Sequence, residues 1–332
     1  MRQIKFLATF ALLLVLLTAA TKDKTTTIFM IGDSTMANKD ITEGKQERGW
    51  GMALQCYFDD NIVIDNHAVN GRSSLSFINE GRWDAVLQKM RPGDYVIIQF
   101  GHNDEKKPAD RHTDPGSTFD YNLAKFVRET RERGGIPVLM NAVVRRNFQK
   151  VAPQNEDDEA LRNTTYQPSA AEEIDSLVDT HGLYIVAPRD VAERMNVHFV
   201  DANRITHNLE QGLGVEESKK LHMWFLPGEE PSVPQGRQDN THYRVHGAQV
   251  VAHLLADALC EEIPLLAKYR TNVDITVDEK GRGDYLDLMS ALASVEPNKE
   301  VTIQLLGGEW ERPQLPKKSK VHFVLRQGAR WK

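Results

Sequence analysis

Short runs rich in valine and isoleucine alternate with stretches of helical periodicity through most of the chain. That alternation constrains the fold more than any other feature. The runs are "TTIFMIG" (26–32), "NIVIDNHAV" (61–69), "DYVIIQFG" (94–101), "IPVLMNAVV" (136–144) and "VHFVDA" (197–202). Several are nearly continuous in apolar residues, as expected of strands covered on both faces. Helical patterns fall between them, around 50–59, 82–91, 118–133, 168–180 and 203–213. A last one, "HGAQVVAHLLADALCEE", runs over 246–262. Strand and helix in strict alternation predict a parallel sheet with helices on both faces, and ligands in such sheets sit beyond the carboxyl ends of the strands. Two polar loops, 102–117 and 146–167, are long enough to be expected to be functional or mobile.

Residues at those strand ends form a chemically coherent set. Asp33 and Ser34 follow the first strand, Asn70 and Gly71 the second, and Asn103 the third. Asp239 and His242 stand in "DNTHYRVHGA", just before the last helix. A serine hydroxyl needs a base to act as a nucleophile at neutral pH, and histidine is the usual one. The histidine in turn needs a carboxylate to fix its tautomer. On a helical turn, a spacing of three residues places Asp239 and His242 on one face. The backbone N–H groups of Ser34 and Gly71 and the side-chain amide of Asn103 are candidate donors to an oxyanion. Asp33 is expected to bond to neighbouring backbone at the turn. Each piece alone has an ordinary alternative: serine after a strand is often an N-cap, and "NGRSS" reads equally as a turn. Their order along the fold is what makes a site of them.

The blocks Gly32-Asp33-Ser34, Gly71, Gly101-His102-Asn103-Asp104 and Asp239-x-x-His242 resemble those of the SGNH (GDSL-type) hydrolases. Within that superfamily, "GDSTMA", "RGWG" (48–51), "VNGRSS", "QFGHND", "VVRRNF" (143–148), "DTHGLY" (179–184) and "DNTHYRVHGA" resemble the rhamnogalacturonan acetylesterases over about residues 25–265. The resemblance implies a three-layer α/β/α, flavodoxin-like fold with a five-stranded parallel sheet. It also implies Ser34 as nucleophile, His242 as base and Asp239 as orienting acid. Ser34, Gly71 and Asn103 would form the oxyanion hole, and no metal or organic cofactor is expected. The implied partner is an acetylated pectic polysaccharide, whose galacturonate carboxylates Arg72, Arg145 and Arg146 could meet. Solvated or salt-bridged arginines are the alternative for these three, and packing is the alternative to sugar stacking for Trp50 and Trp224.

Other readings keep part of this picture. The same site could serve acetylated xylan, another acetylated glycan or a lipid ester, although polar loops argue against lipid. A non-catalytic pectin-binding remnant would have a decayed site, whereas every block residue is present. With 47 acidic against 41 basic residues and a formal net charge of −6 at pH 7, nucleic acid is not an expected partner.

The ends carry separate signals. Arg2 and Lys5, the apolar run Phe6 to Leu17 and the small residues of "TAA" form an export signal cleaved near Ala20. The run is short for a membrane anchor, so an exported protein without a stable anchor is expected. Residues 21–267 then form the esterase domain. The two cysteines, Cys56 and Cys260, can pair in an oxidising compartment or serve as buried small hydrophobes. Residues 268–332 form a β-rich unit in which "DITVDEKGRGDYLDLMSALASV" and "VTIQLLGGEWERPQL" resemble the start of the right-handed parallel β-helix of pectin methylesterases. The resemblance stops before that family's catalytic aspartates and arginine, so no second active site is expected. A β-helix of about two coils has an open edge, which either docks on the esterase domain or is left only partly ordered.

Overall fold

The computed structural model describes residues 25–150, 158–167, 173–316 and 318–332; the expected export signal lies outside them. In chain order the strands are β1 (Thr26–Gly32), β2 (Glu47–Arg48), β3 (Ile62–Asn66), β4 (Tyr95–Gln99), β5 (Ile136–Met140), β6 (His198–Val200), β7 (His222–Phe225) and β8 (Arg237–Arg244). They are followed by β9 (Ile275–Val277), β10 (Val301–Leu305), β11 (Gly308–Trp310), β12 (Val321–Leu325) and β13 (Ala329–Trp331).

The central sheet has five strands in the order β3-β1-β4-β5-β6, all parallel. The chain winds one way from β1 to β3 and the other way through β4. The switch point therefore lies between β1 and β4, with Gly32 in register with Gln99. In sheets of this kind ligands bind at such a switch point, beyond the carboxyl ends of the strands.

Both faces of the sheet are covered. Ile28 and Met30 pack with Trp50, Leu54, Val251 and Leu255 on one side. Phe29 and Ile31 pack with Phe77, Trp83, Phe119 and Phe126 on the other. Alternate residues of one strand thus enter two cores, which is why the strand runs carry no polar alternation. In the helix Thr118–Glu132 the residues Phe119, Leu123, Phe126, Val127 and Thr130 are buried, a single stripe at helical spacing. The helix Val245–Glu262 buries Ala248, Val251, Ala252, Leu255, Ala256 and Leu259 in the same way. No described helix is long and apolar enough to cross a membrane.

One expected helix is absent from its described part. Of the stretch 168–180, residues 168–172 lie outside the described residues, and 173–180 are not helical. Ile174 N donates to Phe148 O at 2.7 Å and Val178 N to Asn147 O at 2.8 Å. The amides that a helix would use internally pair instead with the segment leaving β5. The helix comes later, at Ala187–Met195, with proline in its first turn. A three-stranded antiparallel sheet, β2-β8-β7, was also not legible in the sequence.

The C-terminal residues form parallel sheets of order β12-β10-β9 and β11-β13 around Val277, Leu288, Ile303, Leu305 and Trp310. They lie against the rest of the chain. Arg48 Nε donates to Gly281 O at 3.1 Å, Gln304 Nε2 to Cys56 O at 3.0 Å, and Arg326 Nε to Asp60 Oδ1 at 2.9 Å. Cys56 is buried and Cys260 half-buried, and both are free thiols. Burial pushes the Cys56 thiol up to about 12, so it behaves as a small hydrophobe.

Candidate active site

The turn after β1 is built by Asp33. Its Oδ1 accepts Thr35 N at 2.9 Å and Thr35 Oγ1 at 2.8 Å, while its carbonyl accepts Ala37 N at 3.0 Å. Gly32 is required where β1 meets β4, because a Cβ there would lie 2.7 Å from Gln99 O. Ser34 stands at the head of this turn.

Ser34 Oγ lies 3.0 Å from His242 Nε2, and His242 Nδ1 lies 2.8 Å from Asp239 Oδ2. All three residues are 1 % exposed or less. With the proton on Nδ1 directed at the carboxylate, Nε2 is left to accept from the serine hydroxyl. The arrangement can abstract a proton from Ser34 and hold the resulting imidazolium.

Asp239 and His242 do not sit on a helical turn, as their spacing predicts, but on β8. In a regular strand, residues three apart face opposite sides. Here Asp239 Oδ1 accepts both Thr241 N and His242 N at 2.9 Å, and this local turn folds the histidine back over the carboxylate. The Asp239 carboxyl is held down to about 2: burial alone would raise it, but the His242 charge and hydrogen bond and the Arg237 guanidinium outweigh burial.

Two further loops approach the turn. Val69 N donates to Gly32 O at 3.1 Å, tying the Gly71 loop to the end of β1. Gly71 has φ of 71°, the left-handed region that favours glycine. Asn103 is buried, and its Nδ2 donates to Arg72 O at 3.3 Å, joining the loop after β4 to the Gly71 loop.

Asp104 braces this junction. It accepts Ser74 N at 3.1 Å, Ser74 Oγ at 2.5 Å and Thr113 Oγ1 at 2.8 Å. Burial pushes its carboxyl from 3.8 up to about 7, the Asp33 charge adding to the push against the bonds from Ser74 and Thr113. A carboxyl raised on folding contributes stability that is present below its unfolded value and is lost as pH rises through the folded one. From 3.8 to about 7 the loss is on the order of 4 kcal/mol. Asp104→Asn is therefore expected to flatten the fall in stability between pH 4 and pH 8, as read by urea unfolding across that range. An unchanged slope would remove Asp104 as its source.

The three arginines fare differently. Arg145 and Arg146 are buried. Arg145 pairs with Glu105 at 2.5 Å and donates to His102 O at 3.3 Å. Arg146 bonds Ser218 Oγ at 2.9 Å, Asn240 Oδ1 at 3.1 Å and Glu173 at 3.4 Å. These contacts brace the segment after β5 from within. Arg72 instead borders an open cavity of about 340 Å³ beside Gly71, with Glu80 and Arg111 also on its wall. Its Nε is 3.1 Å from Glu80. Trp50 is fully buried and donates to Gln99 Oε1 at 3.0 Å, a packing role. Trp224 is half-buried, donating to Asn240 Oδ1 at 2.7 Å.

A set of charges that nothing in the sequence singles out lies behind Asp239. Arg237, from the start of β8, contacts Asp239 Oδ2 with Nη2 and Glu47 Oε2 with Nη1 at 3.3 Å. Glu47 also meets Lys39 at 3.0 Å and Arg162 at 2.7 Å. Lys39 Nζ reaches Asn70 Oδ1 at 2.6 Å. Their residue types mark them in the sequence only as ordinary surface charges. No group of His, Cys, Asp and Glu among the described residues could hold a metal ion.

The model of the GDSL-like Lipase/Acylhydrolase family matches residues 30–250. The chain is 36 % identical over 241 residues to rhamnogalacturonan acetylesterase RhgT of Bacillus subtilis (strain 168), covering 73 % of this chain and 92 % of that protein. It is 27 % identical over 238 residues to the probable rhamnogalacturonan acetylesterase YesY of the same organism, covering 70 % and 92 %. The crystal structure of protein YxiM from Bacillus subtilis shares the fold, with a TM-score of 0.54 and 22 % identity over 72 % of this chain and 57 % of that one. The matched span takes in the Ser34 turn, the Gly71 and Asn103 loops and the β8 strand, and the chain belongs to the GDSL-like lipase/acylhydrolase family as an ester hydrolase.

Proposed function

We propose that the protein is an exported carbohydrate esterase that removes O-acetyl groups from the rhamnogalacturonan of pectin through an acetyl-enzyme on Ser34. The Ser34–His242–Asp239 relay, with distances of 3.0 and 2.8 Å, carries this reading. The names of the relatives, a rhamnogalacturonan acetylesterase and a probable one, support the substrate class. The apolar N-terminal run with its "TAA" end supports export.

In this mechanism Ser34 Oγ attacks the ester carbonyl carbon as its proton passes to His242 Nε2. Asp239 holds the imidazolium through Nδ1–H. The tetrahedral oxyanion takes the N–H groups of Ser34 and Gly71 and the amide of Asn103, each such donor being worth roughly 3 kcal/mol in the transition state. Collapse breaks the bond to the sugar oxygen, which leaves with the proton from His242. Water then attacks the acetyl carbonyl, giving its proton to His242. Acetate departs, and the proton returns to Ser34 Oγ.

Acetate release tests the reading with acetylated rhamnogalacturonan, acetylated xylan and p-nitrophenyl acetate as substrates. Release from the pectic polymer is expected to exceed release from xylan. Cleavage of the small ester alone would overturn the polymer assignment, and no release by folded protein would favour a binding role.

Residues 21–267 are read as the esterase domain. Residues 268–332 are read as a docked unit with the opening coils of a pectin methylesterase-like β-helix and no active site of its own. The parallel pairing of β9, β10 and β12 supports that reading. The contacts of Arg326, Gln304 and Gly281 with the body predict that limited proteolysis spares the segment 266–275. Early cleavage there with loss of the tail alone would exclude tight docking.

A further inference from the structure

We infer that Arg237 and Glu47 are positioning residues of opposite sign that set the basicity of His242 through Asp239. This rests on the reading of Ser34, His242 and Asp239 as the reacting set.

Arg237 Nη2 binds Asp239 Oδ2, the same oxygen that faces His242 Nδ1. Both side chains are almost fully buried: Arg237 is 5 % exposed and Asp239 is 0 %. A cation on that oxygen competes with the imidazolium for one negative charge. It therefore disfavours protonation of His242 and leaves the base free to lower pH. It also ties down the carboxylate oxygen that the Nδ1–H bond uses.

Glu47 acts the other way. It sits on β2, antiparallel to β8, and receives Arg237 Nη1 at 3.3 Å. It moderates the guanidinium and favours positive charge on His242. Its own charge is spread over Lys39, 3.0 Å away, and Arg162, 2.7 Å away. Lys39 also bonds Asn70 beside Gly71, so one continuous line of charges joins the base to the loop of the oxyanion donors.

The charged groups around the Asp239–His242 pair come from four places. They are Arg237 on β8, Glu47 on β2, Asp33 and Lys39 after β1, and Arg162 on the short 3₁₀ turn Asp158–Asn163. On the Tyr243 side of β8 lies the buried pair Glu210–His222, 2.9 Å apart, which neither substitution below touches.

The test is the titration of the His242 imidazole by NMR, with the acid limb of kcat/KM on p-nitrophenyl acetate measured beside it. In Arg237→Gln the midpoint is expected to rise by about 1 pH unit, since the competing cation is gone. In Glu47→Gln it is expected to fall by about half a unit, because the uncompensated guanidinium then acts at full strength. Arg237→Lys, which retains the charge, is expected to return most of the Arg237→Gln shift. The acid limb of kcat/KM should follow the same directions, with KM changing less than about threefold. Midpoints that stay put while activity falls, or that move the same way in both glutamine variants, would overturn the inference. Should Arg237→Gln fail to fold, the fall expected in Glu47→Gln still decides it, and an unmoved or raised midpoint there would overturn the inference. Ser34→Ala separates the two readings. Activity surviving in that variant would sink the assignment of the reacting set, while the His242 midpoints would still judge the electrostatic coupling.

Discussion

Ser34→Ala is expected to lower acetate release by about 10⁴-fold or more while leaving the fold in place. The substitution removes one hydroxyl from a side chain that is already buried, and the hydrogen bond it deletes is the 3.0 Å contact with His242. Nothing else in the turn depends on that oxygen: Asp33 forms the turn through Thr35 and Ala37. The proposed oxyanion donors, the backbone N–H groups of positions 34 and 71 and the Asn103 amide, are untouched, so a residual rate above water is expected. The measurement is acetate release by pH-stat together with thermal unfolding of the same preparation. A melting temperature within about 2 °C of wild type makes the loss chemical, since a buried hydroxyl contributes only about 1 kcal/mol. A fall of less than tenfold would take Ser34 out of bond formation.

Gly247→Ala is expected to destabilise the protein by about 3 kcal/mol, lowering the melting temperature by roughly 6–12 °C. Gly247 lies in the first turn of the helix Val245–Glu262, close after His242. A Cβ there would sit 1.9 Å from Leu221 O and 2.6 Å from Leu221 C. Both are backbone atoms, so no rotamer can relieve the clash, and the helix has to move off the segment leading into β7. That helix carries Val251 and Leu255 into the core against Met30 and Trp50, and those contacts loosen with it. It also follows directly on β8, so His242 is displaced relative to Ser34. A 1 Å misplacement costs about 10²-fold in rate. Gly212→Ala is the control: nothing lies within 4 Å of its Cβ position, and the change is expected to be neutral or stabilising by up to about 1 kcal/mol. Thermal unfolding of both variants checks the pair. A melting temperature for Gly247→Ala equal to that of Gly212→Ala would mean that the helix yields freely.

The central strands β1, β4 and β5 were legible because each is buried on both faces, while the partly exposed edge strands β3 and β6 show only short runs of Ile, Val and Phe. Burial on both faces writes itself into sequence as a short, unbroken apolar run. The stretch 173–180 misled because helix-forming residues there use their amides on Asn147 and Phe148, distant in sequence. A local pattern holds no record of such a partner. From the sequence, Arg145 and Arg146 are candidates to meet substrate carboxylates, with solvated or salt-bridged arginines as the alternative. They are buried because Glu105, Glu173 and Asn240, from three other segments, meet them inside.

The sequence alone determined the parallel sheet and the identity and order of the residues at its strand ends, because strand periodicity and residue chemistry are local properties. Tertiary structure alone decided which of those residues touch. Ser34 and His242 are 208 positions apart, and the Asp239 turn on β8 that brings them to 3.0 Å is held by the antiparallel pairing of β8 with β2 and β7. The fold also brings the side chain of Glu47 to 3.3 Å from Arg237, 190 positions away. A buried ion needs a partner at contact distance, and only the folded chain supplies that distance.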